Sequence, residues 1–147
     1  MILLVQQLIK SINHMITSDL NINDTFKKEF SFTQNEVNAF ATLTGDTNPI
    51  HLDKNYAKNS IFKKRIMHGF LSASIFSRVF GTLFPSKGCI YLKQELNFLL
   101  PMYCNTTYVS YFKVLNVKPQ KNIANIETTI KNPNNDITIS GNALIKF

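Results

Sequence analysis

Four consecutive segments in the second half of the chain constrain its fold most. Cys89–Leu99, Thr106–Val117, Ile123–Lys131 and Ile137–Phe147 are rich in β-branched and aromatic residues and read as strands. Gly88, Pro101, Pro119 and the run Asn132-Pro133-Asn134-Asn135-Asp136 punctuate them as turns. Strands of this length favour a curved sheet, and a curved sheet needs an apolar element to wrap around.

The first half supplies that element. Thr25–Phe32 reads as a short strand with Phe26, Phe30 and Phe32 on one face. Thr33 followed three residues later by Glu36 is a capping box, and Val37, Phe40, Ala41 and Thr44 recur at helical spacing. A helix over Gln34–Thr44 follows, closed by Gly45. Pro49 keeps Asp46–Asp53 from being one regular helix, while Asp53 caps a short stretch holding Tyr56 and Ala57. A loop through Phe62-Lys63-Lys64-Arg65 leads to His68-Gly69, which opens a longer helix ending near Leu83. Leu71, Ser74, Ile75, Arg78, Val79 and Thr82 mark one side of it. Phe70, Phe76 and Phe80 widen its apolar arc, so burial on most sides is expected. A helix-rich front before four strands makes the fold class α+β, an antiparallel sheet against one dominant helix.

With 147 residues the chain fits a single domain over residues 18–147, preceded by an arm over residues 1–17. Met1-Ile-Leu-Leu-Val is interrupted by Gln6, Gln7 and Lys10, far short of the roughly 20 apolar residues of a membrane span. It also lacks the pattern of a secretory signal. Cys89 and Cys104 sit in apolar surroundings with no ligand-spaced neighbour, which fits reduced strand residues in a cytoplasmic compartment and no metal site. The net charge of +7 rests mostly on lysine. It fits either a general lysine bias or attraction to an anion, such as a phosphate-bearing cofactor or an acidic carrier protein. No basic-aromatic block, zinc-finger spacing or RNP-like string points to nucleic acid.

Gly45-Asp46-Thr47-Asn48-Pro49-Ile50-His51-Leu52-Asp53 is the stretch most able to carry chemistry. A carboxylate and an imidazole five residues apart on a Pro-containing loop suit acid–base work around one water. Downstream, the amides at the helix start near Gly69 suit an oxyanion. Each residue also has a plain structural role open to it. Asp46 fits an Asx turn, His51 a structural histidine, Asp53 a cap, and His68 a donor holding a neighbouring carbonyl. Ser74 and Ser77 fit small packing positions on a crowded helix.

Gly45-Asp46-x-Asn48-Pro49-x-His51-x-Asp53, Tyr56-Ala57, Phe62 and Arg65-Ile66-x-His68-Gly69 together resemble the hydratase motif of the MaoC-like family. The similarity continues through Lys87-Gly88-x-Ile90-Tyr91-Leu92, Phe98, Leu100-Pro101 and Ser140-Gly141-x-Ala143. Asn23-Asp24 stands where the family often has Gly-Asp, a tolerable turn substitution. The resemblance implies a hot-dog fold, a long central helix wrapped by an antiparallel sheet, usually paired as a homodimer. It implies Asp46 and His51 as catalytic dyad, the Gly69 amide at the thioester carbonyl, and Asn48, His68, Ser77 and Phe80 at the substrate. The implied reaction is reversible syn hydration of a trans-2-enoyl thioester to the (R)-3-hydroxyacyl thioester. No metal or separate cofactor is then needed, since coenzyme A or phosphopantetheine belongs to the substrate. Lys63, Lys64 or Arg65 would meet its phosphates, and the bulk of Phe76 and Phe80 would favour short acyl chains. A 3-hydroxyacyl-[acyl-carrier-protein] dehydratase, or a non-catalytic hot-dog subunit binding acyl thioesters, are the alternatives. A thioesterase would want an acidic or nucleophilic residue on the central helix, and Gly69–Leu83 has no Asp, Glu or Cys.

Overall fold

The computed structural model describes residues 20–85 and 88–147, so the expected arm over residues 1–17 and Lys87 lie outside the described residues. Strand β1 (Thr25–Phe30) is followed by α1 (Gln34–Thr44), two short helices α2 (Pro49–Leu52) and α3 (Lys54–Asn59), and the long α4 (Gly69–Thr82). Then come β2 (Ile90–Phe98), β3 (Tyr108–Lys118), a 3-10 turn (Pro119–Lys121), β4 (Ile123–Lys131) and β5 (Ile137–Lys146). The five strands form one antiparallel sheet in the order β1-β3-β4-β5-β2.

Local chemistry explains most boundaries. Both halves of the Thr33/Glu36 capping box are made, and Gly45 closes α1 at φ 78°, a left-handed conformation that glycine adopts without a Cβ penalty. Alternation along β4 buries Ala124, Ile126, Thr128 and Ile130 and leaves Glu127 exposed. Register irregularities at Tyr91/Lys93 and Val114/Asn116 bend β2 and β3.

Helix α4 lies on the inner face of this sheet. Leu71, Ile75, Phe76, Val79 and Phe80 are buried there, and Phe76 and Phe80 meet the Phe112 ring edge-on at 5.6 and 5.2 Å. Burial of α4 is less complete than its composition suggests. Phe70 is 70% exposed, and Ser74, Ser77 and Arg78 face outward as well. Neither cysteine belongs to a strand. Cys89 precedes β2 and Cys104 occupies a turn, where its thiol lies 3.6 Å from Gln34 Oε1. The turn displaces the expected start of β3 from Thr106 to Tyr108, whose hydroxyl accepts the Tyr103 N–H at 2.8 Å.

Candidate active site

The Asp46–His51 loop is built by caps. Asn48 Oδ1 accepts the Ile50 N–H at 3.1 Å and Pro49 occupies the first turn of α2, so the polypeptide enters this helix with its donors satisfied or absent. Asp53 then accepts from the amides of Asn55 and Tyr56 to start α3, as expected for a cap. His51 therefore sits on one helical turn held at both ends.

The protonation of His51 follows from its partner. Its Nδ1 lies 2.9 Å from the carbonyl oxygen of Ile66, which only accepts, so Nδ1 carries the proton and Nε2 presents a lone pair. Burial pushes the imidazole below its ordinary value of 6.5, and His68 acts in the same direction. The bond to Ile66 and the Asp46 carboxylate pull the other way without cancelling the shift. His51 is thus a neutral base at physiological pH. Asp46 is 53% exposed at its side chain, and its Oδ1 makes a long Asx-turn contact of 3.4 Å with the Asn48 amide.

His68 lies behind this pair. Its ring stacks on that of His51 at 3.9 Å, and its Nε2 lies 2.9 Å from the Asp46 carbonyl oxygen and 3.9 Å from Asp46 Oδ2. One donor atom from each of Asp46, His51 and His68 falls within 4.8 Å of the others, the residue types of a two-histidine, one-carboxylate metal site. His51 Nδ1 and His68 Nε2 are already committed to carbonyl oxygens.

His51 and Gly69 border a cavity of about 500 Å³, whose other walls are largely apolar. Phe62, Ile66 and Met67 form one side, and Phe98, Leu99, Leu100 and Met102 another. No side chain caps the start of α4, which leaves its first amides without a capping partner. Gly69 has a steric reason to be glycine. A Cβ there would stand 2.8 Å and 2.9 Å from two carbons of the Phe98 ring.

Of the residues expected at the substrate, Gly69 lines the cavity and the others do not. Asn48 is a helix cap, and His68 is 2% exposed beneath His51. Ser77 projects outward about 12 Å further along the axis of α4. Phe80 is fully buried against Tyr91 and Phe112, facing the sheet rather than the cavity. With Phe76 also in the core, the inference of short acyl chains from these two rings loses its basis. The residues that do form the wall, Phe62, Phe98 and Leu100-Pro101 among them, belong to the matched pattern but carried no assigned role. Their convergence is tertiary.

A family model for the MaoC like domain matches residues 19–135. The chain belongs to the MaoC-like family. This MaoC-like chain is 35% identical over 133 residues to an (R)-specific enoyl-CoA hydratase of Aeromonas caviae, covering 90% of this chain and 99% of that one. It is 33% identical over 128 residues to a 3-hydroxybutyryl-CoA dehydratase of Methylorubrum extorquens, covering 87% and 80%. The solved structure of the (R)-hydratase from A. caviae superposes with a TM-score of 0.85 at 34% identity, over 89% of this chain and 99% of that one. The sheet-and-helix arrangement is accordingly the hot-dog fold.

Proposed function

We propose that this MaoC-like chain is an (R)-specific enoyl-thioester hydratase, a hydro-lyase acting on trans-2-enoyl-CoA with Asp46 and His51 as the acid–base pair. The observation that carries this reading is a ring nitrogen of His51 within 4.8 Å of an Asp46 carboxylate oxygen, with His51 lining an apolar cavity that Gly69 also lines. The relatives named as hydratase and dehydratase support it.

The geometry suggests a sequence of events. The acyl chain enters the apolar cavity and the thioester carbonyl meets the Gly69 amide, whose partial positive charge at the start of α4 stabilises an enolate. A water held by Asp46 and His51 adds through oxygen to C3 while one of its protons passes to the pair. The pair returns a proton to C2 on the same face, so H and OH are added syn. Microscopic reversibility makes the same groups a dehydratase for the (R)-3-hydroxyacyl thioester. The coenzyme is the substrate's handle, and the reaction as written uses neither metal nor redox cofactor.

We also propose a homodimer. Strand β2 is an edge of the sheet, and Ile90, Leu92, Phe98, Leu99 and Leu100 are all at least 44% exposed on or beside it. A second copy pairing there would cover unpaired backbone and apolar surface together. Cys89 and Cys104 are not joined in a disulfide, consistent with a reducing, cytoplasmic setting. Among the described residues no helix is long and apolar enough to cross a membrane.

The direct test follows loss of ultraviolet absorbance as crotonyl-CoA is hydrated. Asp46→Asn and His51→Ala should each lower turnover by about 10² or more, the usual loss when an acid–base group is removed. Two variants with wild-type rates would exclude the pair. Parallel assays with a carrier-protein thioester would establish which carrier is used.

A further inference from the structure

We propose that His68 is a positioning residue that holds the Asp46 peptide, and with it the Asp46 carboxylate, in register with the reactive nitrogen of His51. The proposal rests on the reading of Asp46 and His51 as the acid–base pair.

At 2% exposure His68 reaches neither solvent nor the cavity, so it does not meet substrate directly. Its Nε2 faces the Asp46 carbonyl oxygen at 2.9 Å, and a carbonyl only accepts, so the ring proton sits on Nε2. The lone pair then belongs to Nδ1, which is buried without a hydrogen-bond partner. His68 is therefore an N–H donor on a rigid ring. The titratable groups around it are Asp46 on the loop and His51 on α2. Phe40 on α1 and Ser72 on α4, its other neighbours, carry no charge.

On the same peptide unit the Thr47 N–H donates to the Gly45 carbonyl at 3.0 Å, and the remaining anchors of Asp46 are longer. Its own amide reaches Thr44 Oγ1 at 3.3 Å, and its Asx contact to Asn48 is 3.4 Å. The bond from His68 is the shortest one anchoring this peptide. The anchor itself is stiff, because the ring is packed between His51 at 3.9 Å and Phe40 at 5.0 Å. Its carbonyl also accepts from both the amide and the hydroxyl of Ser72, each at 3.1 Å. Three helices thereby meet at one residue, whose ring contacts α1 and α2, whose carbonyl is held by α4, and whose Nε2–H points at Asp46.

His68→Phe keeps a ring in the stack and removes the donor, while His68→Gln restores an N–H at nearly the same reach. His68→Phe should lower kcat for crotonyl-CoA hydration by about 10 to 10², the scale of a displaced reacting group, with KM changed less than about threefold. His68→Gln should recover most of that kcat. Full kcat in His68→Phe, equal losses in both variants, or a change confined to KM would each overturn the proposal. Should the variants fail to fold, imidazole ¹⁵N spectra of the wild-type protein decide. A proton on Nε2 is expected, and its absence there overturns the role. If the wild-type protein hydrates no enoyl thioester, the hydratase reading fails, and the spectra still decide the His68 tautomer.

Discussion

Gly69→Ala tests the start of α4 with one methyl group. The new Cβ would stand 2.8 and 2.9 Å from two carbons of Phe98. Carbon pairs settle near about 3.5–4.0 Å, so something must retreat by roughly 0.7–1 Å. The helix end is the stiffer side, since Leu71 and Ser72 are buried and Ser72 is bonded to the His68 carbonyl. The colliding atoms of Phe98 belong to its side-chain ring and not to main chain, so the ring yields. Overpacking costs about 1–3 kcal/mol, and a collision with ring atoms alone places this case near the low end. About 1 kcal/mol corresponds to a Tm lowered by roughly 2–4 °C in a domain of this size. The displaced ring also lines the cavity, so the main kinetic effect on crotonyl-CoA hydration should be a raised KM. Loss of kcat should stay below the roughly 10² that removal of an oxyanion donor causes. Adding Phe98→Ala removes the collision, and the double variant should regain the KM that Gly69→Ala lost. The reasoning is refuted by an unchanged Tm and KM in Gly69→Ala, or by two substitutions whose effects simply add.

Burial holds His51 below its ordinary 6.5, so the acid limb of the kcat/KM profile for hydration should have its midpoint below pH 6.5; a midpoint at or above it contradicts the buried-base reading. The sign for stability follows, because the unfolded chain protonates His51 near 6.5 and the folded chain only at lower pH. This contribution is complete above 6.5 and is lost as pH falls through 6.5 towards the folded value, as urea titrations of wild type against His51→Ala would show. Phe80→Ala should cost about 3–5 kcal/mol in urea unfolding, whereas Ser77→Ala should leave both stability and hydration within about twofold of wild type. An inversion of those two effects would mean that α4 is rotated from the phase described. Leu92→Lys on the β2 edge should shift mass by light scattering from dimer towards monomer, and an unaltered dimer would place the interface elsewhere.

Local rules made the elements legible where they act on neighbours in sequence. β4 alternates so regularly that Ile123–Lys131 is bounded by its own pattern, and the Thr33/Glu36 box marks the start of α1. What failed did so for tertiary reasons. Thr106 and Thr107 have the composition of a strand, yet the Tyr103 amide bonds to the Tyr108 hydroxyl and the Asn105 amide to the Phe32 carbonyl, which hold a turn before them. On α4 nearly every arc is apolar, so composition could not say which side meets the sheet. Phe70 turned out exposed, meeting Phe98 edge-on at 5.6 Å, and Phe80 turned to the core. Asn48 before Pro49 carries the local signature of a cap, and the structure shows that cap.

The candidate site depends on a backbone stretch that sequence patterns describe poorly. The carbonyl of Ile66 sets the tautomer of His51, and the amide of Met67 donates to the Met102 carbonyl at 2.8 Å. His68 holds the Asp46 peptide, and Gly69 offers its uncapped amide. In the proposed mechanism these four consecutive residues fix the base, the wall, the carboxylate and the electrophile site. None has a side chain that must touch substrate for this to work. Ile66 and Met67 act through main-chain atoms, Gly69 through its amide and the absence of a Cβ, and His68 through one N–H turned away from the cavity. A site specified this way tolerates variation in the apolar residues that line it, but not in the path of the chain from Ile66 to Gly69. That distinction separates the residues that shape the acyl pocket from those that make the chemistry possible.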